Sequence, residues 1–188
     1  SDEEIASLGG EFGAAVAIGL SDLPRVVVGA PRSNVNVDSL ENGRVYTFEA
    51  TGTDWESLEE TPMFGKGPYD RFGSAVDMAN DGLRFIVGAP GREASGGYFQ
   101  IYEWNGSAWV LDFEEEGSSG DALGSSVAVL TDSGDVFAIG APGYKGGDGK
   151  VVIYQRRSGL QRAATDYVEL GQPILGGRGD IIGRSGAV

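Results

Sequence analysis

The side chains able to do acid–base or metal chemistry in this chain are carboxylates, a few lysines and tyrosines, and nothing else. There is no histidine and no cysteine, which removes the commonest general base and metal ligand, thiol nucleophiles, disulfides and Cys-based zinc sites. The densest acidic groups are Glu114-Glu115-Glu116 and Glu56 with Glu59-Glu60. Such groups could serve as general acid–base pairs or cation sites, but on outer strands and connections they read as solvated faces that blunt sheet edges. Trp55, Trp104 and Trp109 with Tyr98 and Tyr102 could stack on sugar rings, and read equally as packing between strands or blades.

Three further motifs carry chemistry. Asn105-Gly106-Ser107 is an N-glycosylation acceptor at the tip of a hairpin, and Asn-Gly is also a type I′ turn signal. Arg178-Gly179-Asp180 matches a cell-attachment tripeptide, yet it falls in a connection between repeats, after the flexible Gly176-Gly177. Asp81-Gly82 and Ser133-Gly134 read as hairpin turns, and Gly146-Gly147-Asp148 is a fainter metal candidate. With 28 acidic and 14 basic residues the formal charge is −14, and no basic stripe could neutralise a phosphate backbone, so nucleic acid is not an expected partner.

The elements that must position these residues repeat. One landmark is an apolar residue, Gly and a small-plus-Val run: Phe12-Gly13-Ala14-Ala15-Val16, Phe72-Gly73-Ser74-Ala75-Val76, Leu123-Gly124-Ser125-Ser126-Val127 and the Ile182-Gly183 to Val188 stretch, whose starts lie 60, 51 and 59 residues apart. A second follows the first three: Gly29-Ala30-Pro31, Gly88-Ala89-Pro90 and Gly140-Ala141-Pro142, each closing a β-branched or aromatic run. A third is an alternating strand at Gly43 to Phe48, Gly97 to Tyr102 and Gly149 to Tyr154, and a weaker strand carries Trp55, Trp109 or Tyr167. No helical period persists, and Gly, at 32 residues against a usual level of about 7%, punctuates the chain.

Four short antiparallel strands every 50 to 60 residues is the pattern of β-propeller blades. The expected organisation is all-β: 1–11 as the end of a preceding blade or a linker, repeats at 12–71, 72–122 and 123–181, and the first strand of a fourth at 182–188. A closed propeller takes roughly four to eight blades, so these three read as part of a larger propeller or as a set that closes by assembly. If strands one and two form a hairpin, Gly13 lies near Gly29 and Gly73 near Gly88, with small residues admitting close backbone approach. Pro31, Pro90 and Pro142 then end the second strand, having no donor for the next ladder bond.

Phe-Gly and Gly-Ala-Pro at the two ends of one hairpin resemble the FG-GAP repeat of integrin α-chain β-propellers. The stretch from Asp81 to Trp109 is similar to tandem FG-GAP-like repeats of microbial and algal secreted or surface proteins. The resemblance implies a non-catalytic extracellular or cell-surface module for adhesion or assembly. Its partners would be protein or carbohydrate, together with further blades of the same protein or of an oligomer. Alternatives are an accessory or catalytic propeller of a secreted hydrolase or lyase, and calcium-dependent adhesion. No cofactor is expected. Integrin-type blades hold calcium in an Asp-rich loop inside the first hairpin, but 17, 16 and 17 positions separate Phe12, Phe72 and Leu123 from Gly29, Gly88 and Gly140, leaving only a tight turn. No apolar run approaches the roughly 20 residues of a membrane-spanning helix, so direct membrane insertion is not expected, and Ser1-Asp2-Glu3-Glu4 does not read as a signal peptide.

Overall fold

A computed structural model of the chain describes residues 10–34, 40–58, 63–91, 96–157 and 167–177. Their architecture is three antiparallel sheets in succession, arranged as β-propeller blades. The first holds β1 (Ala15–Gly19), β2 (Arg25–Ala30), β3 (Arg44–Thr51) and β4 (Asp54–Ser57), with β5 (Met63–Phe64) also paired to β3. The second runs β6 (Ala75–Met78), β7 (Arg84–Ala89), β8 (Tyr98–Trp104), β9 (Trp109–Glu116). The third runs β10 (Ser126–Val129), β11 (Val136–Ala141), β12 (Lys150–Arg156), β13 (Tyr167–Glu169), with β14 (Ile174–Leu175) added to β12. The one helical turn among the described residues, α1 (Tyr144–Gly147), is interrupted by left-handed Lys145 and Gly146.

Each second strand ends on the residue before its proline, at Ala30, Ala89 and Ala141, where the ladder would next need an N–H. These strands are apolar on consecutive rather than alternate residues because both faces are covered. On β7, Phe85 and Val87 pack towards the first blade while Ile86 packs towards the third. Phe72, Phe85, Phe99 and Phe137 are fully buried between blades, each contributing about 2–3 kcal/mol of apolar burial.

The short strands β1, β6 and β10 lie side by side and form the innermost row. In blades two and three the hairpins that follow them close on tight turns, as their spacing suggests: Gly82 N–H donates to Ala79 C=O at 2.9 Å and Gly134 N–H to Thr131 C=O at 3.0 Å. Their backbone also joins blades: Leu20 N–H donates to Asn80 C=O at 2.9 Å, and Asp81 N–H to Asp132 C=O at 3.1 Å. The fourth strand differs from a single element per repeat. In blades one and three it is split, with β4 or β13 on one half of the third strand and β5 or β14 on the other. In blade two a bulge at Ile101/Tyr102 lets β9 run the whole length.

The blades meet backbone to backbone. Gly13, Gly73 and Gly124 donate N–H to Gly29, Gly88 and Gly140 of their own hairpins at 3.0–3.1 Å. Gly29 and Gly88 also lie against Gly73 and Gly124 of the following blade, where a Cβ on either would collide with a carbonyl oxygen. Gly88→Ala should therefore force the second and third blades apart, at a cost of about 3 kcal/mol and a fall in Tm of roughly 6–12 °C. Gly67→Ala, whose Cβ would meet nothing nearer than 3.9 Å, should move Tm by less than about 2 °C in the same calorimetric scan.

Candidate functional site

The conspicuous side-chain chemistry of the molecule sits at the joints between blades. At the end of the joint opposite the glycine contact, Arg25 heads β2 and pairs in register with Glu49 of β3, its Nη2 2.7 Å from the carboxylate. Its Nη1 reaches across to donate to Gly82 C=O in the next blade at 3.0 Å, and its guanidinium lies 4.5 Å over the Trp104 ring. Arg84 repeats this one blade on. It pairs in register with Glu103 (2.7 Å) and crosses to Ser133 C=O (2.7 Å) and Asp135 (3.2 Å). Both arginines are buried, so each charge depends on these partners. In the third blade the same register holds Val136 opposite Gln155.

Near the glycine end, Lys66 from the connection between blades one and two grips Glu114 and Glu116 of β9 at 2.5 and 2.7 Å and lies over the Tyr98 ring. Burial works against the Lys66 ammonium, but the two carboxylates outweigh it and raise its pKa, while the hydrogen bond and charge of Lys66 lower that of Glu116. Glu114 also accepts from Gln100 Nε2. Tyr98 OH donates to Asp70, which also accepts from Gly67 N–H. The equivalent Asp121, two residues before Leu123 as Asp70 is before Phe72, is buried and accepts from Lys150 Nζ at 3.1 Å.

The innermost strands line a groove of about 440 Å³ whose walls include Val16, Ile18, Val76, Met78, Val127 and Asp77. The Asp77 carboxylate accepts from its neighbour Met78 N–H and from Val129 N–H of the next blade, at 2.9 and 2.7 Å. It is a tie between strands, and among the described residues no group of three or more His, Cys, Asp or Glu converges as a metal site would require.

The structure distributes the motif residues as follows. Phe72 and Leu123 sit in the joints, while Phe12, in the same register, is half exposed against Tyr46 and Phe48. Trp109 packs edge-on against Phe85 and Trp104, and Tyr102 stacks on Phe85. Trp55 stands exposed on β4, so these rings form no common platform. Glu114 and Glu116 are lysine partners, whereas Glu56 is exposed on β4. Asp81 Oδ1 accepts from Leu83 N–H, a turn contact at 2.9 Å, and Gly146-Gly147-Asp148 falls on α1 and its C-terminal flank.

Asn105 is exposed at the tip between β8 and β9. It has no positive φ, so the loop is not a type I′ turn. It is a four-residue loop in which Asn105 Oδ1 accepts from Ser107 N–H, Ser107 Oγ and Ala108 N–H. Glu59-Glu60, Arg178-Gly179-Asp180 and the 182–188 stretch lie outside the described residues. In sequence register, Asp180 stands two residues before Ile182, the place of Asp70 and Asp121.

Sequence reasoning missed the arginine ties. Arg25 and Arg84 each stand four residues before the Gly of Gly-Ala-Pro, and that recurrence was the available signal.

No family model matches the chain, and no curated protein matches it. Solved structures similar to it include "COPII on membranes, outer coat vertex" and "The structure of the COPII coat assembled on membranes". Each has a TM-score of 0.54 at 13% identity over 88% of this chain. The chain spans 39% of the first matched chain and 22% of the second. At this identity the likeness is one of fold, and it agrees with three consecutive antiparallel blades.

Two outcomes follow for the joints. Arg84→Met should cost about 2–4 kcal/mol by leaving Glu103 short of its partner, whereas Arg32→Met, whose partner Glu11 is equally exposed, should cost under about 0.5 kcal/mol in urea denaturation. Burial and the Glu114 charge push the Tyr102 phenol up to about 12 from 10.0. Because the raised pKa belongs to the folded state, the neutral phenol's contribution is whole below pH 10 and is lost as pH climbs towards 12. Tyr102→Phe should start about 1 kcal/mol lower, having lost the hydrogen bond to Gln100, yet lose Tm less steeply between pH 10 and 12.

Proposed function

We propose that this chain is a non-catalytic binding and structural module of an extracellular or cell-surface assembly, built on FG-GAP-like repeats and offering its blade-end loops to a protein or glycan. The observation that carries this reading is where the reactive groups are spent. Glu49, Glu103, Glu114, Glu116, Asp121 and Asp135 all face a lysine or arginine, and Asp77 in the axial groove is held by two backbone N–H groups. A hydrolase or lyase would instead need carboxylates from several blades free and converging at one end of the axis.

Two further features favour the reading. Asn105 projects from a loop tip with space around it, as a glycan requires. Solved structures that share the fold include two of the COPII coat on membranes, and an assembly role is the one proposed for this chain. Calcium is not part of the proposal, since the turn carboxylate Asp81 is engaged with its own backbone.

The test is a labelled preparation of the chain applied to arrays of immobilised extracellular proteins and glycans, with and without EDTA. Saturable, EDTA-insensitive binding to members of one class is expected. Turnover of chromogenic glycosides, esters or phosphodiesters that disappears in Asp77→Asn would overturn the reading.

A further inference from the structure

Hairpin tips ordinarily carry polar turn residues, and the inner hairpin of blade three does so, with Thr131, Asp132 and Ser133 exposed at its tip. The inner hairpins of blades one and two depart from this. Leu20, Leu23 and Leu83 stand 66%, 51% and 42% exposed on the loops that join β1 to β2 and β6 to β7. Asn80 and Leu83 are exposed although blade two has a neighbour on each side, so a flanking blade does not cover this place in the repeat.

The two leucine-bearing tips are pressed together. Leu20 N–H donates to Asn80 C=O at 2.9 Å, a Cβ on Gly19 would collide with the Gly82 backbone, and a Cβ on Gly82 would stand 3.1 Å from Ser21 Oγ. Leu83 follows Gly82 directly, and Leu23 C=O accepts from Ser21 Oγ at 2.6 Å. The three leucines therefore crown one joint, the one that Arg25 ties by donating to Gly82 C=O. The charge around them has one sign. Asp22 lies between Leu20 and Leu23, Asp81 precedes Leu83, and Asp132 C=O holds Asp81 N–H at 3.1 Å. The cations at this end, Arg25 and Arg84, are buried on Glu49, Glu103 and Asp135.

We propose that this end of the first joint docks a segment of a partner protein whose apolar side chains seat on Leu20, Leu23 and Leu83, between lysines or arginines that face Asp22, Asp81 and Asp132. The inference rests on the binding-module reading and narrows its partner to protein. Sugar rings are recognised by flat aromatic faces, and Trp104, whose N–H donates to Leu83 C=O, is taken up by Arg25 and Trp109. A second copy of the chain, with its formal charge of −14, and an anionic bilayer are both repelled by such an end.

A peptide array that varies the spacing of leucines among lysines, with matched arrays in which serine replaces leucine or glutamate replaces lysine, is probed with labelled chain. Leucine–lysine peptides should bind with Kd of about 1–100 µM and the matched peptides at least about tenfold more weakly. Binding should fall as salt rises from about 0.05 to 0.5 M. Leu20→Ser, Leu83→Ser and Asp22→Asn should each weaken it about three- to tenfold with the far-UV circular dichroism unchanged, while Leu111→Ser, at an exposed place on β9, should bind as the parent does. No binding by any leucine–lysine peptide, equal binding of the serine–lysine set, indifference to folded Leu20→Ser and Leu83→Ser, or Leu83-dependent binding of phosphatidylcholine vesicles would overturn the proposal. Glycan or protein hits on the extracellular arrays that ignore Leu83→Ser would leave the binding-module reading standing and remove this site. Leucine-dependent peptide binding with no extracellular hit would do the reverse.

Discussion

The contact of one blade's backbone on the next at Gly29–Gly73 and Gly88–Gly124 governs the rest of the molecule. A methyl group at Gly29 or Gly88 would wedge the sheets apart by more than packed side chains can absorb, since interiors are close-packed and do not deform smoothly. With the glycines in place, β1, β6 and β10 become neighbours. The phenylalanine or leucine that opens each repeat after the first drops into the gap, and the aromatic positions of the second and third strands close over it. The left-handed φ of Gly73 and Gly124, near +85°, turns the chain into the inner strand at the point of contact.

That contact fixes one end of the joint. At the other end Gly19 lies against the Gly82 backbone and Leu20 N–H donates to Asn80 C=O, and long side chains reach across beside these contacts. Arg25 and Arg84 suit this place because a planar fork can hold its own strand's glutamate and still reach a carbonyl in the neighbouring blade. The two devices act together: the glycines let the backbones touch, and the arginines tie each blade to the next by charge and hydrogen bonds. Lys66 and Lys150 tie the connections to the sheets in the same manner. An acidic chain with few cations has thus placed much of its positive charge in the seams, and its surplus negative charge faces solvent.

Blade number, strand order and the place where each second strand stops were legible in the sequence because they depend on local chemistry repeated in phase: glycine where backbones touch, proline where a donor must be missing. What escaped reading depends on neighbours far along the chain. Arg25 finds Gly82 57 residues away, and no window contains both. The inner hairpins do close on tight turns at Gly82 and Gly134, but the backbone bonds by which Leu20 and Asp81 also reach the adjacent blade left no mark in the sequence. The split of the fourth strand in blades one and three, but not two, turns on a one-residue bulge at Ile101/Tyr102, for which no residue type is diagnostic. Asn105-Gly106 suggested a two-residue turn, but the asparagine side chain, by collecting three donors, favours a wider loop.

The same geometry makes the three blades unequal. Blade two has a joint on each side, and β7 is buried at every position, so it can be apolar on both faces from Phe85 to Ala89 without exposing anything. Among the described residues blade one has a joint on one side only, and β1 shows this in its alternation of half-buried alanines with exposed Val16 and Ile18. In a linear array each unit's stability is its own plus what its neighbours lend. The middle blade therefore draws support from two joints and blade one from a single joint among those described. Selection for solubility alone would favour polar residues on that outward face. Val16, Ile18 and Phe12 are instead of the residue types that fill the interior joint at Val76, Met78 and Phe72.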